Sequence, residues 1–157
     1  MMDREFISII DELLQNKEYK KLGSEYHHGT TRLEHSIRVA KKTYIATKKR
    51  GLNYKEATRA ALLHDFFLED QLTTKMLKTA YEHPQLAYKN ACKYYPLTKK
   101  EGNIIRSHMF PLSKEFPKSR EALIVTLSDK QIAIYEYAKY KFNIKNLKSK
   151  LRYSHNN

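Results

Sequence analysis

Apolar residues in this chain recur at intervals of three and four, and nowhere alternate with polar ones for long enough to make a convincing strand. Phe6, Ile9, Ile10, Leu13 and Leu14 fall on one face of a helix over residues 3 to 16. Gly23 and Gly29 then bracket a loop. Leu33, Ile37, Ala40 and Tyr44 mark a second helix of about four turns that ends near Gly51. Side chains that repeat every 3.6 residues bury their apolar stripe most readily against other helices. The pattern therefore predicts an all-α fold, a compact single-domain helical bundle.

Local signals divide the rest of the chain. Asn53 followed by Glu56 reads as a helix start, and the alanine-rich stretch from Ala57 to Leu63 permits close approach of a neighbouring helix. His83-Pro84 reads as the opening of another helix, because proline's missing donor costs nothing in the first turn. Thr98 with Glu101 predicts a capping box, with His108 near that helix's end and Pro111 just beyond. From about Ser119 an apolar-rich helical pattern follows, carrying Leu123, Ile124, Leu127, Ile132 and Ile134. The last stretch places Tyr140, Ile144, Leu147 and Leu151 on one stripe among lysines, which predicts a basic amphipathic helix packed on the domain.

Polar residues stand inside these apolar patterns in the order His35, His64-Asp65, His83, His108, Asp129. A buried unpaired carboxylate costs several kcal/mol, so Asp129 must point outward or meet a cation. Imidazole nitrogens with carboxylate oxygens and no thiolate suit a divalent ion such as Fe, Mn, Co, Ni or Mg. His64 and Asp65 are adjacent, about 100° apart on a helix, so they reach one ion only where helices converge. The single cysteine, Cys92, excludes an intramolecular disulfide and a cysteine-based zinc site, and reads as a small buried hydrophobe.

With these residues in view, the chain resembles the HD-domain metal-dependent phosphohydrolases, and more narrowly a small, single-domain bacterial group of them. The likeness rests on Tyr26 to Ser36 (YHHGTTRLEHS), Ala61 to Phe67 (ALLHDFF), His83-Pro84, His108 to Pro111 (HMFP) and Asp129-Lys130. It implies one HD domain over residues 1–157, with a metal-site core at about 26–135 and the basic C-terminal helix at about 138–152. Position by position, His35, His64, Asp65 and Asp129 match the four ligands that define the superfamily. His83 and His108 fall where two-metal members supply a second ion's ligands, and Asp65 would then bridge. One or two divalent ions are implied.

The implied activity is hydrolysis of a phosphomonoester or phosphoanhydride, most naturally of a nucleotide, by a water whose pKa the metal centre lowers. Asp65 would fix the ions and orient that water. Arg32 and Lys130 flank ligands and are candidates to hold phosphate oxygens, and His28 is a candidate substrate contact. Two features depart from better-known members. Leu68 stands where single-metal nucleotidases place a catalytic acid, which leaves Glu69 or Asp70 as substitutes. The glycine-containing signature and adjacent lysine of the cyclic dinucleotide enzymes are absent.

Charge bears on partners. Lys plus Arg number 30 against 17 Asp plus Glu, a formal net charge of +13. That surface attracts a phosphorylated small molecule and also admits nucleic acid. A phosphodiesterase or nuclease acting on RNA or a cyclic nucleotide is thus one alternative, and a non-catalytic nucleotide- or RNA-binding regulator another. No run of 18 or more apolar residues predicts a membrane span, and Met1-Met2-Asp3-Arg4-Glu5 leads straight into a helix pattern rather than a signal peptide, so a cytoplasmic location is expected. His155 lies in a polar tail that reads as disordered. Nothing in the sequence fixes the oligomeric state.

Overall fold

Most helices begin where a short polar side chain can satisfy the free amides of the first turn. Asp3 caps α1 (Arg4–Leu14), accepting from the Glu5 amide at 2.9 Å. Asn16 caps the single turn α2 (Lys17–Lys20), which runs on into a 3-10 turn at Lys21–Ser24. Thr31 and Glu34 form a capping box at α3 (Arg32–Lys48), and Asn53 accepts from the Glu56 amide at the start of α4 (Tyr54–Leu63). α5 spans Thr79–Tyr94. The Thr98–Glu101 box opens α6 (Lys99–Ser107), and the Ser119 hydroxyl accepts from the Ala122 amide at the head of α7 (Arg120–Ser154). This computed structural model describes residues 3–27, 29–72 and 79–154. Among them the only strands are the two-residue β1 (Tyr26–His27) and β2 (Thr30–Thr31), paired antiparallel, with Gly29 in the turn at φ +79°. The fold is all-α, as the apolar spacing predicts.

α3 lies at the centre, packed on α4 and α7, while α4 also meets α1 and α6, and α6 meets α5. Val39 and Ala40 of α3, Ala60 to Leu63 of α4, and Ile104 and Ile105 of α6 are all fully buried, together with Val125 of α7. Each large aliphatic side chain so placed contributes about 1.5–3 kcal/mol. The alanines keep α4 thin enough for its C-terminal end to sit in the middle of the bundle. Tyr19 fixes that end from outside, its buried hydroxyl donating to the Leu62 carbonyl at 2.5 Å.

Three expectations need correction. α5 is already helical from Thr79, so His83 and Pro84 lie inside it rather than at its entrance. Pro84 shares a buried stripe with Ala87 and Ala91, and the packing of that stripe outweighs the local cost of a missing amide. Cys92 is exposed, because one residue beyond Ala91 turns it about 100° off the same stripe. Finally, the basic helix expected at about 138–152 is the distal part of α7 and not a separate packed element. No glycine or proline interrupts the sequence after Ser119, and residues 137 to 143 are all exposed. Its anchor on the domain is Tyr140, whose ring would lie 2.9 Å from a Cβ at Gly29. No helix among the described residues is long and apolar enough to cross a membrane.

Candidate metal centre

Helix ends create this site. The last carbonyls of a helix have no intrahelical donor, and His64 and His108, at the C-caps of α4 and α6, use them. His64 Nδ1 lies 2.7 Å from the Ala61 carbonyl oxygen, and His108 Nδ1 lies 2.7 Å from that of Ile105. A carbonyl only accepts, so Nδ1 carries a proton in each ring and Nε2 is turned inward; burial opposes charge on His64, but Asp65 and Asp129 prevail and raise its pKa. His83 repeats the device within α5, with Nδ1 2.8 Å from the Thr79 carbonyl. His35 sits in the first turn of α3 and uses no helix carbonyl. Its Nδ1 meets Glu136 Oε2 of α7 at 2.8 Å.

The inward faces converge. Asp129 Oδ1 lies 3.1 Å from His35 Nε2 and 3.6 Å from His64 Nε2. Asp65, just past α4, splits its oxygens: Oδ2 is 3.5 Å from His64 Nε2, while Oδ1 is 3.3 Å from His83 Nε2 and 3.6 Å from His108 Nε2. Two overlapping sets result, His35 with His64 and Asp129, and His64 with Asp65 and His108, each holding its donor atoms within 4.8 Å of one another. The structure thus brings all six predicted ligands, His35, His64, Asp65, His83, His108 and Asp129, into one cluster.

Two observations show that these residues fit a cation. The buried atoms His64 Nε2 and Asp65 Oδ1 lack any hydrogen-bond partner. Such groups are costly unless something polar or charged completes them. Moreover, the Nε2 atoms of His83 and His108 face each other at 2.9 Å. With both Nδ1 atoms committed to carbonyls, two lone pairs oppose one another unless a proton or cation lies between them.

Protonation agrees with the second reading. Burial, reinforced by His64 and His83, pushes His108 down to about 3, and burial also lowers His83, so both rings stay neutral. Burial acts against charge on His35 too, but its hydrogen bonds to Asp129 and Glu136 prevail and raise it to about 10. Burial alone would raise the two aspartates; the surrounding histidines hold both well below the usual carboxylate range. A divalent ion would displace the protons that His35 and His64 hold against the carboxylates, and its donor set would be anionic oxygen with imidazole nitrogen.

Above the cluster opens a cavity of about 560 Å³ whose lining includes Arg32, Phe67, Met109, Lys130 and Tyr137. Lys130 donates to the carbonyls of Phe110 at 2.9 Å and His108 at 3.4 Å, and burial lowers its pKa. Arg32 is nearly buried, stacks on Phe67 at 3.9 Å, and donates to the Phe67 carbonyl at 2.9 Å and to Glu69 at 3.1 Å. It ties the cavity wall together as much as it faces the cavity. Glu69 lines the space and Asp70 does not. His28 and His155 lie outside the described residues.

One functional residue escaped the sequence reading. Glu136 is only 8% exposed and joins His35 to Arg38, whose guanidinium it holds at 2.6 Å. The available signal was its spacing: seven residues after Asp129, it returns to nearly the same helix face. Arg106, by contrast, turns away from the cluster to pair with Glu115 over the ring of Tyr88.

Comparison with known proteins returns one family. The sequence model of the HD domain matches residues 32–134, more than half of the chain, and spans all six clustered ligands. No curated protein and no solved structure matches the chain.

Proposed function

The chain belongs to the HD-domain family, and from that premise we propose that it is a metal-dependent phosphohydrolase that cleaves a phosphomonoester or phosphoanhydride, its natural substrate a nucleotide. The observation that carries this reading is the convergence of four imidazole Nε2 atoms and two carboxylates at the floor of a cavity large enough for a nucleotide. A divalent ion at that floor supplies Lewis acidity toward a phosphoryl oxygen and lowers the pKa of water to near neutrality.

The protein's own groups do the rest. Asp65, with one oxygen toward each ligand set, fixes their relative position. Among the described residues Lys130 meets carbonyl acceptors and no carboxylate within ion-pair distance, so its ammonium is the natural contact for a phosphate oxygen. Arg32 adds positive potential, already balanced in part by Glu25 and Glu69, and its larger contribution is to hold Phe67 in place. Phe67, Met109 and Tyr137 give the cavity an apolar wall that excludes water and suits the flat face of a base.

A second reading draws on a separate observation. Lys139, Lys141 and Lys145 are exposed along α7 among the exposed Tyr135, Tyr137 and Phe142, an interleaving of cations and rings that favours single-stranded nucleic acid. On that reading the same centre is a phosphodiesterase or nuclease, or the chain is an RNA-binding regulator without turnover.

The test combines metal analysis of wild-type and Asp65→Ala protein with phosphate release over nucleotides, dinucleotide polyphosphates and RNA in Mn, Fe, Co, Ni and Mg. Phosphate release lost with the aspartate and its metal supports the phosphohydrolase. Cleavage of RNA alone favours the second reading. Absence of bound metal and turnover, alongside salt-sensitive RNA binding that survives His64→Ala, leaves only the regulator.

A further inference from the structure

Three of the four clustered histidines are oriented by a carbonyl of their own helix, and the fourth is not. His64, His83 and His108 each present Nε2 because Nδ1 donates three or four residues back along the chain. His35 uses no such carbonyl: its Nδ1 lies 2.8 Å from Glu136 Oε2 of α7 instead. A neutral imidazole there could carry its proton on either nitrogen, and could present either edge to the cluster.

α7 resolves this choice. Asp129 and Glu136, seven residues apart on one face, grip the two ends of the His35 ring, Asp129 at Nε2 and Glu136 at Nδ1. Glu136 is itself fixed, since its other oxygen accepts from Arg38, and the same Arg38 nitrogen donates to Thr30 Oγ1 at 2.6 Å. The carboxylate is therefore held on two sides. It lies on the side of the ring away from the other ligands.

We propose that Glu136 is the positioning residue of the metal centre, a carboxylate behind His35 that does for this ring what a helix carbonyl does for the other three and commits Nε2 to the ion. The inference rests on the metal-dependent reading above and goes beyond it by naming a residue outside the ligand set. A carboxylate hydrogen-bonded to a ligating imidazole fixes its tautomer and raises its basicity, and losing such a partner typically weakens metal binding by about 10- to 100-fold. Glu136→Gln keeps an acceptor for the Nδ1 proton but loses the charge, so it should fall between wild type and Glu136→Ala.

The experiment is a Mn²⁺ titration, by competition with a fluorescent chelator, of wild-type protein, Glu136→Ala, Glu136→Gln and Glu121→Gln. Glu121 is another buried acid of α7, bound to Asn53 and Lys100 and remote from the ligands. Expected is a Kd raised about 10- to 100-fold by Glu136→Ala, by less than about 10-fold in Glu136→Gln, and not at all by Glu121→Gln. A merely structural role for Glu136 would lower the melting temperature without moving the Kd. Should the alanine variant not fold, the glutamine variant carries the titration. Long-range ¹H–¹⁵N spectra of Zn²⁺-loaded wild type report the tautomer directly and should show His35 protonated at Nδ1. Unchanged affinity in both Glu136 variants, or a proton on His35 Nε2 in the loaded protein, overturns the proposal and leaves the hydrolase standing. Wild-type protein that binds neither Mn²⁺ nor Zn²⁺ overturns both.

Discussion

Asp65 and the histidines around it divide one cluster into two halves, and single substitutions should separate them. His35 belongs only to the set built on Asp129, and His108 only to the set built on Asp65. If each set holds one ion, His35→Ala and His108→Ala each remove one of two equivalents by elemental analysis, while Asp65→Ala removes more than either. Equal and complete loss in all three variants would mean a single shared ion. Lys130 makes a different prediction, because it touches carbonyls and not the ligand nitrogens. Lys130→Met should leave metal content intact and lower kcat/KM about 100-fold, the scale expected for one donor to a developing charge. A normal rate in that variant would remove Lys130 from the chemistry. The six clustered residues were legible in the sequence because a charged or imidazole side chain inside an apolar pattern requires a partner. Glu136 was not, because the residue it serves is 101 positions away and only the packing of α7 on α3 brings them together.

Helix boundaries followed the same division between local and distant causes. Asn53 with Glu56 and Thr98 with Glu101 marked helix starts correctly, since a cap and its amide lie within three residues. His83-Pro84 misled, since proline's missing donor is a local fact and the buried stripe that continues α5 is not. The continuity of α7 was likewise not signalled: 35 residues make about 52 Å of unbroken helix. α1 is held by polar contacts that the sequence did not signal. Glu5 receives Lys48, Tyr54 and Tyr44, which depress its carboxyl to about 2 from 4.5. A depressed carboxylate stabilises the fold above its unfolded pKa, and that contribution disappears as pH falls from about 4.5 toward 2. Wild type should therefore melt higher than Glu5→Gln at pH 6, with the gap closing across that window. A gap that persists at pH 2.5 would show that Glu5 acts through packing and not through its charge. Thr98→Ala tests the box at α6 and should cost about 1 kcal/mol, read as a fall of a few degrees in melting temperature.

Across the described residues, the cluster draws its side chains from every helix between α3 and α7 or from the residue just past one, and none from α1 or α2. A cation there links five elements at one point, while the N-terminal helices stay outside the linkage. His83 and His108 face each other through Nε2 at 2.9 Å, and Asp65 Oδ1 is buried without a hydrogen bond, so a cation would complete polar groups that the bundle itself leaves unsatisfied. Binding to the folded state alone stabilises by RT ln(1 + [L]/Kd), about 2.7 kcal/mol at a hundredfold excess over Kd. For a chain of this size that is a rise of roughly 5–11 °C in melting temperature. The rise should be reversed by chelator and absent in Asp65→Ala. Amide hydrogen exchange locates the effect: Mn²⁺ should slow exchange at the C-terminal turns of α4 and α6 and in α7 around Asp129, and leave α1 unchanged. Uniform protection across all helices would mean that metal acts on global stability rather than through these ligands, and protection confined to the exposed distal part of α7 would place the ion elsewhere.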